Sequence, residues 1–545
     1  MKHLIYFLIT CFAAAGITLS SCSKKFLDEE VFSSYAPETL TDSLGFEASI
    51  VGLHNHLSTF FSYADQQGWP SVWQVGTDIA YATQPHGIEV PYYDYPTLIS
   101  TDGAASFTWS WAYRMINNAN IIIQGVEDPD VTGMSQANKD ALNGEARFFR
   151  AYAYNILATC FGEVPLVTEP LSAPKTDFVR NSLDEVNAVI EDDLLFAAAN
   201  LPDIDNVKKA GGKSLLGRIN KAAAQQLLAE AYLRMNKPAE AEALCNAIIG
   251  SGKFNLITAR YGVRAGQPGD PFSDMFIYGN MRRNQGNREA IWVMEQENPA
   301  NVIGGFTGNP QQRRNWGASY KDISGLVICD SLGGRGIGRM RLNNWVVYDL
   351  YDENDMRNSH WNLRRRYWYN DPAHPNFGQM VPYSGADTLY KIAPHTTKWY
   401  EFNPNDVFGF AMIKDFILMR LGETYLLLAE AQFRQNRLDD AATSINVLRT
   451  RANAPQVSAG DITLDFILDE RVRELLAEEN RRMTLMRTGT LVERAERLNT
   501  DKVNPAHKSA VNQLTGISAK HLRMPIPQGE IDLNKDAVLE QNEGY

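Results

Sequence analysis

The chain has 545 residues, 44% hydrophobic and 21% charged, enough apolar material for a large core and no signature of disorder. Its formal charge of −12 at pH 7 gives no broad basic field to hold phosphate backbones, which argues against nucleic acid as a partner. Its five cysteines, Cys11, Cys22, Cys160, Cys245 and Cys329, include no C-x-x-C pair and are spaced too widely for a disulfide framework or a zinc site.

The first residues predict a signal peptide over 1–21. Met1-Lys2-His3 is basic, Leu4 to Leu19 is almost wholly apolar, and the run is shorter than the roughly 20 residues a spanning helix needs. Leu19-Ser20-Ser21-Cys22 has the form of a bacterial lipobox, so Cys22 is expected to be acylated and to become the first residue. Residues 22–40 read as a polar tether, and 41–545 as a single domain. No later stretch approaches the roughly 18 consecutive apolar residues of a membrane helix, so lipid alone would hold the protein to a bilayer.

Residues 41–254 read as helical. Arg147 to Phe161 forms an Ala/Tyr/Phe-rich helix stopped by Gly162 and Pro165, and Ser182-Leu183-Asp184-Glu185 has the form of a capping box opening another. Ala224, Leu227, Leu228, Ala231, Tyr232 and Met235 share one helix face. Asn236-Lys237 then turn the chain, and Pro238 opens a second helix carrying Ala241, Leu244, Cys245, Ile248 and Ile249. This hairpin recurs over 417–500. Leu227-Leu228-Ala229-Glu230-Ala231 matches Leu427-Leu428-Ala429-Glu430-Ala431, and Arg234, Asn236, Ala241 and Asn246 match Arg434, Asn436, Ala441 and Asn446 without a gap. Asp465 to Arg487 predicts a further helix. The fold expected is mainly α, a tetratricopeptide-like helical-hairpin scaffold. A long irregular, loop-rich aromatic region over 255–416 packs on it, and a tail follows over 501–545.

Catalytic patterns are missing. There is no H-E-x-x-H and no G-x-S-x-G, and Gly212-Lys213-Ser214 lacks the earlier glycine of a P-loop because Val207 stands there. The nine His residues form no ligand cluster, so neither metal nor cofactor is expected. Two loop stretches carry flat rings next to planar polar side chains, the combination that covers sugar C–H faces and bonds hydroxyls. The first runs from Trp69 through Trp73, Gln74, Tyr81 and Gln84. The second runs from Arg313 through Trp316 and Tyr320 to Tyr383, with Trp345, Trp361 and Trp368. Trp73, Tyr81, Gln84 and Trp316 are the leading candidates for ligand contact, with Trp69 and Tyr320 beside them. Asp78 is expected to hold its loop through backbone bonds.

Several segments together resemble the SusD/RagB family: Cys22-Ser-Lys-Lys-Phe-Leu-Asp-Glu, Trp111 to Asn120, Glu145 to Tyr154 with Phe161-Gly162 and Pro165, Ile467 to Glu478 ending at Arg487-Thr488-Gly489, Leu522 to Asn534, and Gln541 to Tyr545. The resemblance runs nearly the whole chain in the family's order. It departs at Asn480-Arg481-Arg482-Met483-Thr484-Leu485, where the family more often shows Gly and Trp followed by Asp, which leaves subfamily placement open. It implies an outer-membrane, cell-surface lipoprotein that is not an enzyme, captures glycan, and passes it to a SusC-like TonB-dependent transporter. A peptide-capturing member of the same family and a purely protein-binding repeat scaffold remain open beside that reading. Arg313-Arg314, Arg335, Arg339, Arg341 and Arg364-Arg365-Arg366 make the middle region locally basic, which leaves acidic glycans open as well.

Overall fold

The computed structural model describes residues 42–62, 68–84, 87–171, 173–210, 213–298, 310–409, 412–499 and 514–545. Cys22, with the expected signal peptide before it and the expected tether after it, lies outside the described residues, as does much of the region after 500. Four long helices lead the fold: α1 Ser43–Ser62, α2 Gly103–Glu127, α3 Gln136–Cys160 and α4 Leu183–Asn200. The capping box at the start of α4 is present. Ser182 accepts from the Glu185 N–H, and the Glu185 carboxylate accepts from the Ser182 N–H at 2.8 Å.

The two hairpins are α5 Lys221–Arg234 with α6 Pro238–Gly250, and α7 Leu421–Arg434 with α8 Leu438–Arg451. Their matched turns have a common cause. Asn236 and Asn436 adopt φ of 57° and 58°, the left-handed region that asparagine tolerates better than most residues. The next N–H of each then reaches back to close the helix end, Lys237 to the Tyr232 carbonyl at 2.8 Å and Arg437 to the Gln432 carbonyl at 2.9 Å. A hairpin cannot bury its own apolar face, so the helices stack in sequence, and α7 packs on α6 across the long insertion between them. The same helix also bonds α5: Gln226 donates to Glu423 at 2.9 Å, and Arg434 donates to the Leu233 carbonyl at 2.9 Å.

Beyond α9 (Leu464–Leu475) the expected continuous helix to Arg487 is broken. The chain leaves the helix over 476–480, Ala477 takes φ 63°, and α10 starts afresh as Arg481–Arg487, followed by α11 Leu491–Leu498. The break is held from outside. Trp399 donates to the Ala477 carbonyl at 3.0 Å, and Gln74 donates to that of Glu479 at 2.9 Å.

Among the described residues, strands pair only as antiparallel twos, and most of them fasten the insertion. Strand β1 (Ala80–Ala82) pairs with β3 (Met340–Leu342), β2 (Ala290–Met294) with β6 (Phe416–Arg420), and β4 (Leu363–Arg364) with β5 (His395–Thr396). Buried ion pairs do the rest. Glu474 on α9 accepts from Arg420 at 2.6 Å, from Arg357 at 3.0 Å, and from Arg451. Glu289 accepts from Arg420 at 2.6 Å and Arg451 at 3.0 Å, Glu470 forms an ion pair with Arg357 at 2.8 Å, and Glu478 accepts from Lys398 at 2.5 Å. Burial alone would raise the Glu474 carboxyl, but Arg451, Arg420 and Arg357 outweigh it and hold the group well below the ordinary carboxylate range.

A second buried cluster corrects the expectation for Asp78. Its carboxylate, rather than backbone bonds alone, holds the loop, accepting from Arg481 at 2.6 and 2.9 Å and from Arg494 at 2.7 Å. Burial opposes ionisation there, yet the two guanidinium groups bring Asp78 down to about 2. A carboxyl with a depressed folded-state pKa stabilises the fold above its unfolded value near 3.9 and loses that contribution as pH falls through the folded value. Asp78→Asn strands two buried cations and should destabilise by about 3–5 kcal/mol at neutral pH. In denaturant titrations, the wild-type advantage over this variant should shrink as the pH is lowered from about 4 towards 2. An advantage independent of pH would contradict the ionic account.

Candidate functional site

The leading aromatic candidates are core residues. Trp69, Tyr81, Trp316 and Tyr320 are at most 2% exposed, and Trp73 is 5% exposed, so none presents a face to a ligand. For the first stretch the cause is the pinning of its loop from beneath. Arg482 donates to the carbonyls of Val72 (2.8 Å), Val75 (2.5 Å) and Tyr92 (3.1 Å) and to the Tyr95 hydroxyl (2.7 Å), drawing the loop onto α10. Trp69 then sits edge-to-face against Trp73 at 5.6 Å, and Phe60 stacks on Trp73 at 5.6 Å. Tyr81, on β1, faces the Arg341 guanidinium, and burial pushes its hydroxyl up to about 12. Tyr320 donates to the Gly334 carbonyl at 2.7 Å. Trp73 and Trp316 do come together, around a small cavity of about 70 Å³ that Trp399 and Phe416 also line. Gln84 is exposed, yet it is not among the residues lining the large cleft described next.

That cleft, about 1020 Å³, lies wholly within the irregular region. Its walls come from 260–278, 330–332, 360–378 and 397–404, with Asn298 and Ile413. Four exposed rings face it: Tyr278, Trp361, Trp368 and Phe377. Trp368 and Phe377, 50% and 55% exposed, ride on a tight hairpin. In it the Tyr369 N–H donates to the Gln379 carbonyl at 3.0 Å, and the Gly378 N–H to the Tyr369 carbonyl at 2.9 Å. The base of the hairpin is anchored by Tyr367 and Val381, buried in a local apolar cluster with Leu326 and Ile392. Trp361 is fixed through its carbonyl, which accepts from the Thr397 hydroxyl. Asn362 next to it donates to Asp270 at 3.1 Å.

Exposed rings held on so much hydrogen-bonded backbone make a preformed platform. Large apolar side chains left half in water on rigid loops mark a place where something binds. Trp361, Trp368 and Phe377 fall in the second aromatic stretch of the sequence, but Tyr278 lies outside both stretches, in a segment with no period to mark its exposure. Among the described residues, no group of three or more His, Cys, Asp or Glu is placed to hold a metal ion. The arrangement is a loop-built aromatic cleft on a helical-hairpin scaffold.

Comparison with known proteins gives the family. The SusD family profile matches residues 340–545, and a profile described as starch-binding, associating with outer membrane, matches residues 25–233. SusD-like protein P25 of Formosa agariphila is 24% identical over 99% of this chain and 98% of its own. The starch-binding protein SusD of Bacteroides thetaiotaomicron is 36% identical over 131 residues, 24% of this chain and 22% of that protein. Among solved structures, surface glycan-binding protein A of Bacteroides fluxus superposes with a TM-score of 0.66 at 20% identity, covering 93% of this chain and all of that one. The chain belongs to the SusD/RagB family.

The buried rings have a testable consequence. Trp73→Ala should lower stability by about 3–5 kcal/mol, as truncation of a core aromatic does, while leaving ligand affinity unchanged. Thermal melts and calorimetry on the same variant check both halves. An intact melting temperature with lost binding would return Trp73 to the site.

Proposed function

We propose that the protein is a cell-surface glycan-binding lipoprotein of an outer membrane, and that the cleft bounded by Tyr278, Trp361, Trp368 and Phe377 is where it holds its ligand. The single observation that carries this reading is the set of exposed rings on a hydrogen-bonded loop platform. Pyranose rings present flat C–H faces that stack on such surfaces, and the cleft is large enough for several sugar units. The starch-binding name of the Bacteroides thetaiotaomicron relative and the starch-binding description of the matching profile support the same class of ligand. Each hydrogen bond to a sugar hydroxyl only replaces one to water and contributes about 0.5–1.5 kcal/mol net. A few rings and a few such bonds give a Kd of about micromolar to millimolar, roughly −8 to −4 kcal/mol, which suits a protein that must release its cargo. Trp368→Ala and Trp361→Ala should each weaken binding of oligosaccharide by about 1 kcal/mol or more with the melting temperature unchanged. Unaltered calorimetric affinity in both variants would remove the cleft from consideration.

We further propose that Cys22 carries the lipid that holds the protein to the membrane, and that the captured glycan passes to a SusC-like TonB-dependent transporter. Among the described residues no helix is long and apolar enough to cross a membrane, which is consistent with a lipid anchor. A single acyl chain binds a bilayer only marginally, so stable attachment requires several chains or a membrane partner. Cys22→Ala should move the protein from the outer-membrane fraction to the soluble one, and wild-type protein drawn from detergent-solubilised membranes should bring a large barrel protein with it. Retention of the variant in the membrane fraction would contradict the lipid assignment. Repeated recovery of the wild type alone would contradict the partnership.

A further inference from the structure

Charge separates two kinds of glycan, and the cleft treats its charges unevenly. Each arginine that lines it already has a partner within the fold. Arg260 donates to Asp274 at 2.6 and 3.1 Å and to the carbonyls of Gln267 and Arg264, each at 2.8 Å. Arg264 grips both oxygens of Asp330, at 2.7 and 2.9 Å. Arg364 donates to the Tyr400 hydroxyl at 2.7 Å and the Ser331 carbonyl at 2.8 Å, and its guanidinium lies over the Tyr367 and Tyr400 rings. The carboxylate of Glu401 is occupied by the Ile413 N–H at 3.0 Å.

The polar groups left over are of another kind. The hydroxyls of Tyr278 and Tyr369, the Gln267 amide, the Trp368 indole N–H and the His360 ring line the cleft. Among the described residues these side chains make no hydrogen bond. Burial first, and Arg364 second, hold His360 below its ordinary 6.5, so its ring is neutral at neutral pH. The side chains left without any hydrogen bond are therefore uncharged.

On the reading that this cleft binds glycan, we infer that its ligand is a neutral oligosaccharide rather than a uronic or sulfated one. A carboxylate or sulfate entering here would have to draw Arg364 off the Tyr400 hydroxyl and the Ser331 carbonyl, or Arg264 off Asp330, and would meet the Asp330 and Glu401 carboxylates. A neutral sugar exchanges hydroxyl–water bonds for bonds to neutral donors and acceptors and lays its C–H faces on the rings. The local run of arginines in the sequence thus serves the fold and not the ligand.

The test is a calorimetric panel on the full mature protein, at neutral pH. Maltohexaose, laminarihexaose and xylohexaose form one arm; hexagalacturonate, hexaguluronate and a sulfated carrageenan hexasaccharide form the other. At least one neutral sugar should bind, with every charged one about tenfold weaker or more. Its affinity should change by less than about twofold between about 0.05 and about 0.5 M NaCl, since no ion pair is there to be screened. A charged hexasaccharide that binds more tightly, with affinity falling steeply with salt, would overturn neutrality while leaving glycan binding in place. Failure of both arms would remove the glycan reading itself and this inference with it.

Discussion

Arginine buried among carboxylates is the interaction on which the rest of this structure depends. The irregular region of some 160 residues has no helical or strand period long enough to specify its own packing, so it must be positioned by something directional. Glu474 supplies this from α9, since Arg357 comes from the insertion, Arg420 from β6 and Arg451 from α8. Lys398, also from the insertion, closes the cluster on Glu478. Such a cluster is all or nothing. Each buried charge is tolerable only while its partners are in place, and removing one typically costs about 3–5 kcal/mol. That penalty for misregistry gives a loop-rich segment one conformation where apolar burial alone would accept several.

From that fixed base the functional surface follows. The Asp270 carboxylate bonds Ser359 and Asn362, and so sets the segment that carries Trp361. Tyr367 and Val381, clamped in a local apolar cluster, set the hairpin that carries Trp368 and Phe377. The rings are thus ordered before any ligand arrives, so binding need not meet the entropy of arranging them. A neutral ligand on prearranged rings gains little from any one contact, which fits capture followed by release better than permanent retention.

What could be read in the sequence, and what could not, divides along periodicity. The hairpins α5/α6 and α7/α8 are visible because their apolar faces repeat at helical spacing and because Asn236 and Asn436 mark the turns. The capping box at Ser182 is visible because it is local. The burial of Trp69, Trp73, Tyr81, Trp316 and Tyr320 is not legible in the sequence, because ring-rich loops look alike whether they face water or fill a core. The loop that carries the first three is held by Arg482, about 400 positions away in the chain, which no local pattern reveals. The helix expected from Asp465 to Arg487 breaks for a similar reason. Arg481 and Arg482, the residues at which the chain departs from its family's usual pattern, must turn to reach Asp78 and the loop carbonyls.

The most direct test of this account is a crystal structure of the protein with a bound neutral oligosaccharide beside one without ligand. The account predicts sugar rings stacked on Trp361, Trp368 or Phe377, with the backbone of the cleft walls superposing between the two structures. Sugar seated on another face of the molecule, or cleft walls that rebuild around the ligand, would contradict it.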